Sequence, residues 1–216
     1  LGVRIPQERV QGNRGAEDLP DNASTKRLRF AVPFAYATGL RLSELVDAKT
    51  GRLYTMPLRD SLEARWMLKV RGKGRKWRAV PIPDGILSML AEYLAQRGLD
   101  PDPLVNPPET PLIARLASND PVSPSSLYKA LKDFFQSAAE ALRADGHIQE
   151  AKDFARASVH WLRHTRGSHL GSAGVPPNLI QKLLGHASLA TTSIYTESDE
   201  ERLWQELTDL ERNDAD

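Results

Sequence analysis

Residues 160 to 170 read HWLRHTRGSHL, which places three histidines and two arginines in eleven positions. On a helix His160, Arg163 and His164 stand at i, i+3 and i+4 and share one face. Such a cluster suits a metal ion, an anion or a solvated surface. The zinc-peptidase pattern needs a glutamate directly after the first histidine, and Trp161 occupies that position. Arg163 beside the pair repels a cation, and the chain has no cysteine to assist. No metal is therefore expected, and an anion is the better partner for this face.

Three other segments carry chemistry-bearing side chains. ATGLRLSEL contains Arg41 and, three positions on, Glu44. VRGKGRKWRAVPIP contains Lys73, and LLGHASLATTSIYT contains His186 and Tyr195. Cleaving a phosphodiester requires a nucleophile, neutralisation of the non-bridging oxygens and a proton for the departing sugar oxygen. Tyrosine, with a pKa of about 10, needs a base or a positive field to attack at neutral pH. Two guanidiniums can grip two phosphate oxygens with a bidentate geometry that lysine cannot reproduce. Fixed charges in a site with little water can supply much of the transition-state stabilisation. The residue inventory meets these needs without a cofactor.

The charge distribution points to a polyanion as well. The formal net charge is +1, but the stretch from Glu197 to Asp216 holds nine acids and two bases, so the first 196 residues carry +8. Between Arg65 and Arg78 lie seven basic residues and no acid. Taken alone, such a run is a solvated surface; beside the other segments it fits a basic body with a short acidic tail. An apolar share of 40% with 26% charged residues is ordinary for a globular chain. No apolar run approaches the roughly 20 residues that span a bilayer, so no membrane partner is expected. A cysteine-free chain also fits a reducing, cytoplasmic setting.

The elements that must position these residues follow from periodicity and punctuation. Residues 1–25 are polar, rich in Gly, Pro and Asn, and read as a linker or arm. Ser24 or Thr25 can cap a helix running to Ala37, with Pro33 as a possible kink. RLSELVDA restarts helical spacing. WMLKV and WRAVPIP flank RGKGRK and predict a β-hairpin with a basic tip. Ile86 to Arg97 returns to a helix, and residues 101–124, with seven prolines, predict a long extended loop. SPSSLYKALKDFFQSAAEALRA is a capped amphipathic helix; 158–170 forms another, stopped by GSAGVPP. NLIQKLLG is a short helix ended by Gly185, and a last helix covers about Ser198 to Glu211. The expected architecture is mainly α with a small antiparallel β-sheet.

In order, spacing and local sequence the four segments resemble the catalytic domain of the tyrosine recombinase (phage integrase) family, over roughly Thr25 to Leu210. The resemblance implies that fold for residues 26–212, with 213–216 as a tail. It implies a site-specific DNA recombinase or integrase that cuts and rejoins double-stranded DNA. Arg41 and Arg163 would clamp the scissile phosphate, and Tyr195 would form a 3′-phosphotyrosyl link. Lys73, with Lys76 as its rival, would protonate the leaving 5′-oxygen. His160 would act as acid and base near the nucleophile, His186 would hydrogen-bond the phosphate, and Glu44 would orient the site. His164 and His169 are expected to be structural.

Alternatives are a type IB topoisomerase-like DNA relaxation or a catalytically silent DNA-binding regulator; a metal-dependent nuclease would need a carboxylate cluster that the sequence lacks. Double-stranded DNA is the expected partner, which would bring the protein to the nucleoid. Leu203, Trp204, Leu207 and Leu210 make an apolar stripe on an acidic helix. By resemblance this stripe would dock on a neighbouring protomer in a synaptic tetramer on DNA. Family members also carry a helical N-terminal domain that residues 1–25 cannot supply, and a start at Leu1 suggests an excised catalytic domain.

Overall fold

The computed structural model describes residues 22–58, 61–72, 74, 76–185, 203 and 206. Its first helix, α1 (Ala23–Thr38), begins slightly earlier than the expected caps. The cap is Asn22, whose Oδ1 accepts the Thr25 backbone N–H at 3.0 Å. The helix runs through Pro33, although a proline there donates no hydrogen bond to the preceding turn. Phe30, Ala31, Phe34 and Ala35 fall on one buried face and open the core. Gly39 ends α1 in the left-handed region, at φ 59°, and its N–H bonds Ala35 O at 3.1 Å. The short helix α2 (Leu42–Asp47) soon follows, with Arg41 as its extended N-cap residue.

A three-stranded antiparallel sheet in sequence order comes next, made of β1 (Leu53–Leu58), β2 (Ser61–Arg71) and β3 (Trp77–Pro81). The hairpin between β2 and β3 is the one expected, with Val70 opposite Arg78 and Arg71 opposite Trp77. The Gly72 N–H closes on Lys76 O at 2.8 Å. Strand β1 has no counterpart in the sequence reading, because LYTMPL shows neither a sustained apolar alternation nor a turn residue that isolates it. Its partner β2 buries Met67, Leu68 and Val70.

Helix α3 (Asp84–Gln96) packs on α1 and buries Ile86, Leu90, Tyr93 and Leu94. The proline-rich segment after it is a long loop, as expected, but one of turns and bends rather than extended chain, and it is also a core element. Thr50 and Gly51 donate to Thr110 O and Pro108 O, and Leu112 donates to Ala48 O, each at 2.9 Å. That pairing inserts Leu112, Ile113 and Ala114 fully into the interior.

Ser123 caps α4 (Pro124–Ala144) through its hydroxyl, which accepts the Ser126 N–H at 3.1 Å. The sequence reading passed over α5 (Ile148–Arg156), a short polar helix with a single buried alanine. Phe154 fixes it, its ring 6.3 Å from Phe135 and 6.0 Å from Trp161. Helices α6 (Val159–Ser172) and α7 (Pro177–Leu184) then pack on each other, and α6 lies against α1. The molecule is thus mainly helical with one small antiparallel sheet. Leu203 is helical, fully buried, and part of the chain's own core, which corrects its expected place on an exposed docking stripe. Trp204, Leu207 and Leu210 lie outside the described residues.

Candidate functional site

Arg41, Glu44 and Arg163 come together with the ends of α1 and α7. Arg41 starts α2, and its backbone N–H donates to Glu44 Oε2 at 2.9 Å, one turn into the helix. Its guanidinium donates to Glu44 Oε1 at 3.0 Å and to Gly185 O at 2.9 Å. Arg163, on α6, is 5% exposed. One of its nitrogens donates to Gly39 O at 2.6 Å and another to Leu184 O. Two consecutive carbonyls at the end of α7 thereby hold the two guanidiniums. These are carbonyls that a helix C-terminus leaves without intrahelical partners.

Both glycines are needed where they stand. Gly185 ends α7 at φ 62°, where a side chain is strained, and a Cβ there would lie 3.0–3.2 Å from the Arg78 guanidinium. A Cβ on Gly39 would meet Leu184 Cδ2 at 2.5 Å.

Arg78 was counted in the sequence only as one of seven basic residues. It is 8% exposed, and its two terminal nitrogens donate to the two Glu44 oxygens, both at 2.8 Å. Its Nε donates to Leu183 O at 2.9 Å. The sequence did hold a signal: WRAVPIP puts one charge inside an otherwise apolar strand, and a buried charge needs a buried partner.

Burial alone would raise the Glu44 carboxyl. The hydrogen bonds and charge of Arg78, then those of Arg41, outweigh it and hold the group below its ordinary value. For Arg163, burial and then the like charge of Arg41 lower the guanidinium to about 10, with Glu44 opposing and Arg78 adding to the shift. It stays charged at neutral pH. Three guanidiniums around one carboxylate leave a net charge of +2 in a largely buried cluster. That is a site short of an anion.

His160 lies one turn before Arg163 and is exposed. Its Nε2 is 2.7 Å from His164 Nε2, with the rings 87° apart. A hydrogen bond between them uses the N–H of one ring and the lone pair of the other. Among the described residues no three His, Asp or Glu side chains could hold a metal. His169 is bonded to Tyr36, its Nδ1 2.6 Å from the phenol oxygen, across the α1–α6 contact. Lys73, His186 and Tyr195 lie outside the described residues; in sequence Lys73 falls between Gly72 and Lys76, and His186 follows Gly185 directly. On the hairpin's outer surface Trp77 is 57% exposed, with the Arg52 and Arg71 guanidiniums 5.5 and 6.0 Å from its ring. No helix among the described residues is long and apolar enough to cross a membrane.

The model of the phage integrase family matches residues 14–202. The tyrosine recombinase XerA of Pyrococcus furiosus is 33% identical over 171 residues, which cover 79% of this chain and 50% of that one. The tyrosine recombinase XerD of Bradyrhizobium diazoefficiens is 31% identical over 223 residues, covering 97% of this chain and 62% of its own. Among solved structures, the XerH site-specific recombinase in a pre-cleavage complex with its difH substrate aligns with a TM-score of 0.55 and 25% identity. That alignment covers 88% of this chain and 48% of that one. The integrase of mycobacterium phage Brujita aligns with a TM-score of 0.54 at 21% identity, over 85% and 51% of the two chains, a likeness of fold. The chain spans about half the length of the first curated relatives it matches. With the helical architecture, the small sheet and the arginine cluster in place, this match over most of its length means that the chain belongs to the phage integrase family.

Proposed function

We propose that this chain is the catalytic part of a site-specific DNA recombinase that cuts and rejoins double-stranded DNA through a 3′-phosphotyrosyl intermediate. The observation that carries the reading is the +2 cluster of Arg41, Arg78 and Arg163 around Glu44, fixed on the backbone carbonyls of two helix ends. A phosphodiester carries one negative charge, and attack by a phenolate gives a pentacoordinate phosphorane with two. A preorganised double positive charge complements the transition state better than the ground state, which is the condition for catalysis.

In this reading Arg41 and Arg163 grip the non-bridging oxygens. Tyr195 attacks phosphorus, His160 takes or returns its proton, and His186 hydrogen-bonds the phosphate. Lys73 protonates the departing 5′-oxygen. The bond energy is kept in the phosphotyrosyl link, so a second strand's 5′-hydroxyl reverses the step without ATP. Working on DNA, the protein sits with the nucleoid and self-associates on paired sites into a synaptic tetramer.

The test is incubation in EDTA with a supercoiled plasmid carrying a site recovered from a random pool by binding to the full chain. Denaturation should leave protein covalently attached to a 3′ end. Cleavage that needs a divalent metal, or binding without adduct, would overturn the reading. Exchange between two plasmid-borne sites separates a recombinase from an enzyme that only relaxes supercoils.

A further inference from the structure

Arg78 lends its charge to the cluster but touches no reacting group in the mechanism just described, yet it is the most fully committed guanidinium of the site. Its guanidinium presents two parallel N–H groups to the two oxygens of one carboxylate, at 2.8 Å each, and a third to Leu183 O at 2.9 Å. Three of its N–H groups, the Nε one included, thus serve protein acceptors, against two for Arg163. Glu44 in turn takes two bonds from Arg78 and two from Arg41, one from its backbone and one from its guanidinium. A carboxylate has about four lone-pair sites, so this one is full. Arg41, whose side chain is 34% exposed, is held by that carboxylate on one side and by Gly185 O on the other.

We propose that Arg78 is a positioning residue: by filling and orienting Glu44 it sets the Arg41 guanidinium at the angle from which it grips the scissile phosphate. The proposal rests on the reading that Arg41 contacts that phosphate. A bidentate fork is what the task requires, because one ammonium can fix a carboxylate's distance but not its plane. The surroundings keep the pair dry. A Cβ on Gly72 would lie 3.1 Å from an Arg78 nitrogen, and one on Gly185 as close as 3.0 Å, so backbone closes over the guanidinium from two sides. In such a place the bonds are stiff and an unpaired partner is costly.

The placement also joins three otherwise separate pieces of chain. Arg78 stands on β3, the strand that leaves the hairpin, five positions after Lys73 in sequence. Glu44 stands on the helix that Arg41 begins, and Leu183 lies on the last turn of α7, three residues before His186. One side chain thus ties the hairpin, α2 and the end of α7 to a common carboxylate.

The experiment compares wild type, Arg41→Ala and Arg78→Lys on the selected duplex, either ordinary or with a methylphosphonate at the scissile position, each diastereomer separately. Thermal melting and DNA affinity are measured alongside. Replacing one non-bridging oxygen by a neutral methyl group removes the charge that one of the two clamping arginines must meet. Arg78→Lys is expected to bind DNA like wild type and to form adduct at least about tenfold more slowly on ordinary DNA. It should recover on the same diastereomer that rescues Arg41→Ala, and on that one alone.

Wild-type adduct formation by Arg78→Lys on ordinary DNA would overturn the proposal. So would a loss that neither diastereomer, or both equally, repairs, since a merely structural defect has no stereochemical preference. If Arg78→Lys does not fold, Glu44→Gln carries the same test with the same expected rescue, and its failure to show it overturns the proposal equally. No adduct from the wild-type protein would instead overturn the functional reading beneath.

Discussion

Arg163→Lys keeps a positive charge and removes the planar fork. In the structure two of the guanidinium nitrogens serve two different carbonyls, Gly39 O and Leu184 O, on the ends of two helices. A single ammonium reaches one of them and leaves the other buried and unpaired, at a cost of about 1–3 kcal/mol. For a domain of this size that lowers Tm by roughly 2–12 °C. The cost to chemistry is separate. Losing the two-point grip on the phosphate should slow adduct formation at least about tenfold, or about 1.4 kcal/mol.

The surroundings add a pH signature. Burial and the neighbouring Arg41 charge bring Arg163 down from the ordinary arginine value to about 10. The same burial and neighbouring charge act on a lysine at this position, whose ordinary pKa already lies below an arginine's. The variant's ammonium thus gives up its proton at a lower pH than the wild-type guanidinium does. Its residual cleavage should therefore fall towards alkaline pH before that of wild type does. Single-turnover adduct formation measured from neutral to alkaline pH is the assay. An Arg163→Lys variant as fast as wild type, or slow with an unchanged pH profile, would refute the assignment of Arg163 as a buried phosphate clamp.

Lys73→Ala should lose cleavage on ordinary DNA and regain it on a 5′-bridging phosphorothiolate, whose sulfur leaves without a proton; rescue of Lys76→Ala instead would move the acid to that lysine. Gly39→Ala should cost about 1–2 kcal/mol for the left-handed backbone alone. It should also slow cleavage, because its Cβ displaces Leu184, whose carbonyl holds Arg163; an unfolding curve and a cleavage rate both equal to wild type would contradict this. Leu203→Ala should destabilise the isolated chain by about 2–5 kcal/mol in urea unfolding, since Leu203 is fully buried in its own core. Unchanged stability would return that residue to an interface between protomers.

Local punctuation made most helices legible. Gly39 and Gly185 ended their helices, Ser123 capped the longest one, and the glycines of RGKGRK marked the hairpin turn. The misses have a common cause. Strand β1, helix α5 and the seating of Leu112 to Ala114 depend on long-range pairing or packing. Phe154 needs Trp161 and Phe135, and Leu112 needs Ala48 O. None of those partners is adjacent in sequence.

The site divides in the same way. Arg41, Glu44 and Arg163 stood out by residue type and spacing and do converge. Arg78 did not, because its role lies in bonds to Glu44, 34 positions away, and to Leu183, 105 positions away. The backbone acceptors Gly39 O, Leu184 O and Gly185 O carry no signature in the sequence at all. Leu203 was read correctly as apolar and helical, but assigned to a neighbour when its own core contains it.

The claim that this chain cuts DNA with a tyrosine is tested most directly by the covalent bond itself. Wild type and Tyr195→Phe are incubated in EDTA with the selected duplex, denatured and digested, and the DNA-linked peptide is sequenced. The substitution removes one oxygen, so melting temperature and DNA affinity should match wild type. The account predicts a wild-type peptide from the segment around Tyr195, joined through that residue to a 3′-phosphate, and no adduct from the variant. An adduct that survives in Tyr195→Phe, or one that maps to another residue, would contradict it.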